Sequence, residues 1–105
     1  MTEKEKAAAG LLYDANYDPE ILQERARAKD LCLDYNLTRS SQTEERLRLL
    51  RTLLAVCHDD IVIVPPFYVD LGYNIRTGQG FYASHNLVIL DEAPVTFGDH
   101  VSIGP

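Results

Sequence analysis

The stretch from Ile61 to Pro105, IVIVPPFYVDLGYNIRTGQGFYASHNLVILDEAPVTFGDHVSIGP, decides the fold. Within it Ile63, Val69, Ile75, Phe81 and Leu87 follow one another at intervals of six. Ile89, Val95 and Val101 keep the same step in a shifted frame, as do Phe97 and Ile103. Glycines share it, Gly72 with Gly78 and Gly98 with Gly104. A helix repeats every 3.6 residues and an ordinary strand every two. A step of six instead marks a parallel β-helix of the left-handed, six-residue-repeat kind. Each flat face is one short strand, and one aliphatic side chain per face points inward onto its counterparts in adjacent coils. Corners take Gly, Asn and Asp because turns often need φ > 0. Gly72, Asn74, Gly78, Gly80, Asn86, Gly98 and Asp99 fit that role. An antiparallel sandwich fragment with fortuitously aligned apolar positions is the plainer alternative, and it has to explain five successive coincidences.

Upstream, residues 1–57 follow a helical rule. Thr2 and Glu5 form a capping box, and the first helix is predicted to continue toward Tyr13, interrupted at Gly10. Asp18-Pro19 is a second start, a capping carboxylate followed by proline at the first helical position. That helix is predicted over about Pro19–Tyr35, with Leu22, Ala26 and Cys32–Leu33 on its apolar face. Glu24, Arg25, Arg27, Lys29 and Asp30 are expected on its wet face. Ser41 and Glu44 make another capping box ahead of Leu47, Leu50, Leu54 and Cys57. The expected organisation is therefore α+β, with short helices over 1–57 and the first coils of the β-helix over 58–105. Three hexads make a coil, so Ile63 to Pro105 holds a little over two. A repeat fold needs about three units and a cap, so the expected parent is longer, with this chain a truncated N-terminal part.

The bulk numbers set limits on partners. The chain has 105 residues, 46% apolar and 25% charged, an ordinary globular balance. A net charge of −6 repels phosphate backbones, so no nucleic-acid partner is expected. No Lys/Arg cluster suggests a membrane surface, and Pro65-Pro66 breaks the longest apolar run. Two cysteines, Cys32 and Cys57, make neither a disulfide framework nor a metal site, and both read as small buried hydrophobes. With no signal-peptide pattern, a cytoplasmic location is the default expectation.

At this point the residues resemble a known family. TEKEKAAAGLLYDANYDPEILQERARAKDLCLDYN is similar to the N-terminal helical segment of the maltose/galactoside O-acetyltransferases, and PPFYVDLGYNIRTGQGFYASHNLVILDEAPVTFGDHVSIGP to their first coils. The resemblance implies transfer of an acetyl group from acetyl-CoA to a sugar hydroxyl, with acetyl-CoA as co-substrate and no metal. It implies a homotrimer with active sites in the clefts between subunits. It also implies a general-base histidine in a Thr-x-x-His-Pro motif, expected beyond residue 105 together with most of the CoA site. No catalytic residue is therefore assigned within the chain.

The resemblance implies an acceptor wall. Tyr82 in Phe81-Tyr82-Ala83 and Arg25 in the ERARAK segment match sugar-pocket positions. Asp70 stands where the family presents a polar group before the Gly-Tyr-Asn turn. Ser84 replaces the usual Asn, and Glu92 replaces an Asp that bonds the sugar, lengthening that arm by one carbon. Each of these five has a plainer role as a solvated charge or a turn residue. Asp14 and Asn16 are further candidates that a one-residue length ambiguity leaves unassigned. His58, His85 and His100 have no metal spacing and stand outside the catalytic motif. Two functions follow: the N-terminal part of a sugar O-acetyltransferase, inactive alone, or a non-catalytic product that binds sugar or associates with other subunits.

Overall fold

The computed structural model describes all 105 residues. Three helices come first: α1 (Glu3–Ala8), α2 (Pro19–Asn36) and α3 (Thr43–Leu53). Seven short strands follow: β1 (Val62–Ile63), β2 (Phe67–Val69), β3 (Ile75–Arg76), β4 (Tyr82–Ala83), β5 (Leu87–Ile89), β6 (Val95–Thr96) and β7 (Ser102–Ile103). Every strand pairing is parallel, and consecutive strands fall in different sheets: β1-β4-β7, β2-β5 and β3-β6. The chain therefore winds as a three-faced coil.

The register sharpens the six-residue expectation. Val62 lies beside Tyr82 and Tyr82 beside Ser102; Phe67 lies beside Leu87, and Ile75 beside Val95. One coil thus takes 20 residues rather than the 18 of three hexads, the separation seen between Leu71 and Asp91. Ile63, Val69, Ile75 and Phe81 are all buried, as their spacing predicted. The two extra residues enter at the corner after β2 and, one coil on, after β5: the outward positions Val62, Tyr68, Arg76, Tyr82, Val88 and Thr96 are spaced 6, 8, 6, 6 and 8 residues apart. At the corner after β3, which keeps the six-residue step, Gly80, at φ +67, donates to Asp60 at 3.0 Å, and His100 one coil on repeats the left-handed conformation at φ +57. Gln79 donates to Asp99 at 2.8 Å in the same corner.

The helices close the first edge of the coil. A strand edge leaves backbone donors and acceptors unpaired, and buried ones need partners. On the side of β2 turned away from β5, Asn36 acts as a substitute strand. Its Nδ2 donates to the Phe67 carbonyl at 3.1 Å and its Oδ1 accepts from the Phe67 N–H at 2.8 Å. Lys29 Nζ donates to the Val69 carbonyl at 2.8 Å, and the Tyr35 hydroxyl to that of Ile63 at 2.5 Å. Above β3, Ala55 N donates to Ile75 O and Thr77 N to Val56 O. Gly72, at φ +86, passes so close to Leu53 that a Cβ would stand 2.5 Å from its carbonyl oxygen. One core results, joining Ala28, Cys32 and Tyr35 of α2 and Leu50 and Leu53 of α3 to Ile63, Phe67, Val69, Ile75 and Phe81.

Several helical expectations change. The Thr2–Glu5 capping box forms, but α1 ends at Ala8, short of Tyr13, and Gly10 turns at φ +75. Asp18 caps α2 through the Ile21 N–H at 3.0 Å. The packed stripe of α2 is Ile21, Ala28, Cys32 and Tyr35, while Leu22, Ala26 and Leu33 are exposed. Glu24, Arg25 and Lys29, expected in water, turn toward α1 and a polar corner of the coil. At α3 the Ser41–Glu44 box is absent. Gln42 is the N-cap without a side-chain bond into the helix, because its amide accepts from Arg39 N at 2.7 Å instead. Cys57 lies past the end of α3 and is half-buried. No helix is long and apolar enough to cross a membrane.

Candidate functional site

Three of the five sequence-derived site residues meet where the coil turns after β2 and, one coil on, after β5. Asp70 follows β2, and Glu92 follows β5 by three residues. Their carboxyl groups face each other closely enough that each shifts the ionisation of the other. Arg25 comes down from α2, with Nη2 3.4 Å from Glu92 Oε1 and Nη1 donating to the Ala15 carbonyl at 3.0 Å. Lys29, one turn further along α2, lies 3.4 Å from Asp70 Oδ1. The Nε of Arg25 is buried and meets no hydrogen-bond partner, an uncommon state for a buried donor.

Asp91 separates two roles that adjacent residues could share. It is wholly buried, accepting from Leu71 N at 2.8 Å and from Asn74 N at 3.2 Å, while Asn74 Nδ2 donates to its carbonyl at 2.8 Å. Asp91 therefore builds the turn, and Glu92 beside it faces the site.

The electrostatics follow from burial and from two carboxyls in contact. Burial pushes Glu92 up, and its hydrogen bond and charge repulsion with Asp70 push it further, to about 7. Asp70 moves the other way. Burial opposes ionisation, but the hydrogen bonds from Glu92 and Lys29 outweigh it and hold this carboxyl below its ordinary range. The pair thus holds a proton into the neutral range that two separate carboxyls would have released, with Glu92 the member pushed up and Asp70 the member held down. Tyr13 feels the same corner, its phenol raised by burial and by the Glu92 charge. A cavity of about 60 Å³ under α1 is lined by Lys4, Tyr13, Tyr73 and Glu92 among others. Lys4 bonds Glu24 at 2.7 Å and stands 4.8 Å from the centre of the Tyr73 ring, and Tyr73 donates to Glu24 at 2.6 Å.

Tyr82 and Ser84 stand elsewhere. Tyr82 is 43% exposed on β4, between Val62 and Ser102. Ser84 Oγ lies 3.3 Å from His85 Nδ1. Neither makes a hydrogen bond or ion pair with Arg25, Asp70 or Glu92. Asp14 caps the turn before α2 by accepting from Asn16 N and Tyr17 N. His85 and His100 are exposed, and His58 is half-buried. A larger groove of about 310 Å³ between α3 and β1 contains none of these site residues. No group of three or more His, Cys, Asp and Glu side chains is arranged to hold a metal ion. Lys29 and Tyr13 were the residues missed from sequence. Lys29 had one available signal, its i,i+4 spacing from Arg25.

A helical cap bonded to the first edge of a three-faced parallel coil, with a polar site at a corner, defines the hexapeptide-repeat class. The family described as the maltose acetyltransferase hexapeptide capping motif matches residues 6–58. The chain belongs to this maltose acetyltransferase family of hexapeptide-repeat proteins. A candidate acetyltransferase of Saccharomyces cerevisiae is 46% identical over 101 residues, covering 96% of this chain and 52% of the yeast protein. The crystal structure of a maltose O-acetyltransferase from Clostridium difficile superposes with a TM-score of 0.96 at 35% identity, covering all of this chain and 56% of that one. A hexapeptide-repeat acetyltransferase of Vibrio cholerae, crystallised with acetyl coenzyme A, superposes at 0.85 with 37% identity and the same coverages. The chain thus spans about half the length of the relatives it matches.

Proposed function

We propose that these residues form the acceptor side of a sugar O-acetyltransferase, which moves an acetyl group from acetyl-CoA to a hydroxyl of maltose, glucose, a galactoside or a similar sugar. The observation that carries this is the convergence of Arg25 with Asp70 and Glu92, contributed by α2 and two successive coils. A protonated and an ionised carboxyl side by side supply one donor and several acceptors, the pattern that sugar hydroxyls satisfy. In the reaction the acceptor oxygen attacks the thioester carbonyl, the C–S bond breaks, and CoA leaves as the thiol. A general base takes the hydroxyl proton. Asp70 and Glu92 orient the acceptor, and Arg25 holds Glu92 in place. No histidine of this chain meets that cluster, so we assign the base to none of the three. Acetyl-CoA as donor is supported by the Vibrio cholerae relative, which was crystallised with it.

The same reading gives the coil a left-handed turn and the assembly three copies. Tyr82 and Ser84 lie away from the Arg25 corner, as they would if a cleft between copies unites two half-sites. The outward pairs Val62–Tyr82 and Tyr68–Val88 are exposed and apolar enough to lie in such an interface. Free cysteines at 32 and 57 suit a cytoplasmic setting.

Titrating the 105-residue chain with maltose and with a methyl galactoside, read by amide NMR, tests the acceptor assignment. Sugar-dependent shifts are expected at Arg25, Asp70 and Glu92. Their absence, with the fold intact, sinks it. An acetyl-CoA turnover assay with the same sugars is expected to show no product from these residues alone. Measurable acetylation would place a base among them and overturn that part. Sugar shifts without turnover also match the second reading, a sugar-binding chain that does no chemistry by itself.

A further inference from the structure

Arg25 and Lys29 leave the same face of α2 one turn apart, so two long cations reach the same corner. Between them lie the two carboxyls. Arg25 is 3.4 Å from Glu92, Lys29 is 3.4 Å from Asp70, and the two carboxyls perturb each other's ionisation. Lys29 is further tied by its 2.8 Å bond to the Val69 carbonyl, immediately before Asp70. Its side chain remains 46% exposed, so it contributes little to the core.

The other charged and titratable groups facing the pair are already engaged. From the coil, Asp91 is committed to the N–H groups of Leu71 and Asn74, and Tyr73 to Glu24. From α1, Lys4 is committed to Glu24. Tyr13, on the connection before α2, contributes a neutral phenol. Arg25 divides its guanidinium between Glu92 and the Ala15 carbonyl. Two carboxyls in contact hold one proton, and neighbouring charge decides which keeps it. The cation placed against Asp70 is Lys29.

We propose that Lys29 is a positioning residue of the acceptor corner: it holds Asp70 against the end of β2 as the charged member of the carboxyl pair and so leaves Glu92 as the hydrogen-bond donor to an acceptor hydroxyl. This role rests on the acceptor reading of the corner. A merely structural Lys29 would cap Val69 and do nothing more. Substituting Lys29→Gln keeps a neutral donor for that carbonyl while removing the charge, and Lys29→Arg keeps the charge.

The test is a pH titration of the chain labelled with ¹³C at its side-chain carboxyls, run with and without maltose and a methyl galactoside. In the parent chain Glu92 is expected to titrate near neutrality and Asp70 in the acidic range. In Lys29→Gln the Asp70 midpoint should rise, the two titrations should draw together, and sugar affinity should fall about two- to fivefold, the range of one partly exposed ion pair. Lys29→Arg should restore both properties. Unchanged carboxyl titrations in Lys29→Gln, or parental sugar affinity despite changed titrations, overturn the proposal. If the parent chain shows no sugar-dependent shift at any corner residue, the acceptor reading itself falls and the Lys29 role falls with it. A parental response that survives Lys29→Gln removes the Lys29 role alone.

Discussion

The corner that carries Asp70 and Glu92 lies between the β2-β5 and β3-β6 faces, across the coil from the β1-β4-β7 face that carries Tyr82, and the two are built differently. At the corner a second element crosses the coil. Arg25 and Lys29 of α2 bond its carboxyls, and the buried Asp91 ties its backbone. On the face no helix crosses β4, and Tyr82 stands in solvent between two strand neighbours. The contrast shows where a repeat fold can fix polar groups. A coil alone supplies parallel ladders and stacked aliphatics. Its corners can hold single carboxylates on turn amides, as with Asp60 and Asp99, but Asp70 and Glu92 are paired with cations where α2 covers the turn.

Breaking the turn under the corner should have the largest effect. Asp91→Ala leaves the N–H groups of Leu71 and Asn74 without acceptors in a buried place. Stability should fall by about 3 kcal/mol or more, read as a lower midpoint in urea at unchanged slope. Asp91→Asn keeps one acceptor oxygen and should lose about half as much. A loss under about 0.5 kcal/mol for Asp91→Ala would show that Asp91 does not hold the corner.

A smaller effect concerns the shared proton. The folded chain keeps a proton on Glu92 up to pH about 7, whereas the unfolded chain releases it near 4.5. Between those values the folded state binds more protons, so Glu92 contributes stability below pH 4.5 that is lost as pH rises through about 7. Asp70 has the opposite sign: its ionised form contributes above its ordinary value of 3.8, and that contribution is lost as pH falls through the lowered value. The unfolding free energy of the parent chain, read from urea melts, should therefore decline from pH 5 to pH 8 by about 1–2 kcal/mol after allowing for partial solvent contact. Glu92→Gln should flatten that decline. A parent profile already flat over this range would remove the shared proton from the corner.

The sequence carried the architecture more clearly than the site, for reasons that particular residues make plain. Six-residue spacing located the buried Ile63, Val69, Ile75 and Phe81, because inward side chains must stack wherever the chain folds back on itself. It missed the two extra residues per coil, because a corner can lengthen without changing which residues point inward. The capping carboxylate of Asp18 was legible because its partner is three residues away. The true packing stripe of α2 was not. That stripe is set by a coil 30–40 residues later in the chain, which draws Tyr35 and Ala28 in and leaves Leu22 and Leu33 out. Arg25, Asp70 and Glu92 came from the family resemblance, and the structure brings them together. Lys29 escaped because a lysine on a charged helix looks like every other solvated cation until the carboxylate it faces is known.

Tyr82 gives the smallest expected change in stability and the sharpest test of the contrast. Its ring lies outside the coil, in register with Val62 and Ser102, and the buried neighbour on its strand is Ala83. Tyr82→Ala removes no core contact and leaves no buried donor unpaired. The stability read from the urea melt should therefore move by no more than about 0.5 kcal/mol, the range of a surface substitution. If the outward face meets another copy or a sugar, sedimentation or the sugar titration should change in this variant while the melt does not. Exposed aromatics contribute to contacts with partners more than to the fold that displays them. A loss of about 1.5 kcal/mol or more in the isolated fold would instead place Tyr82 in the packing of the coil, and the face would then be as internally fixed as the corner.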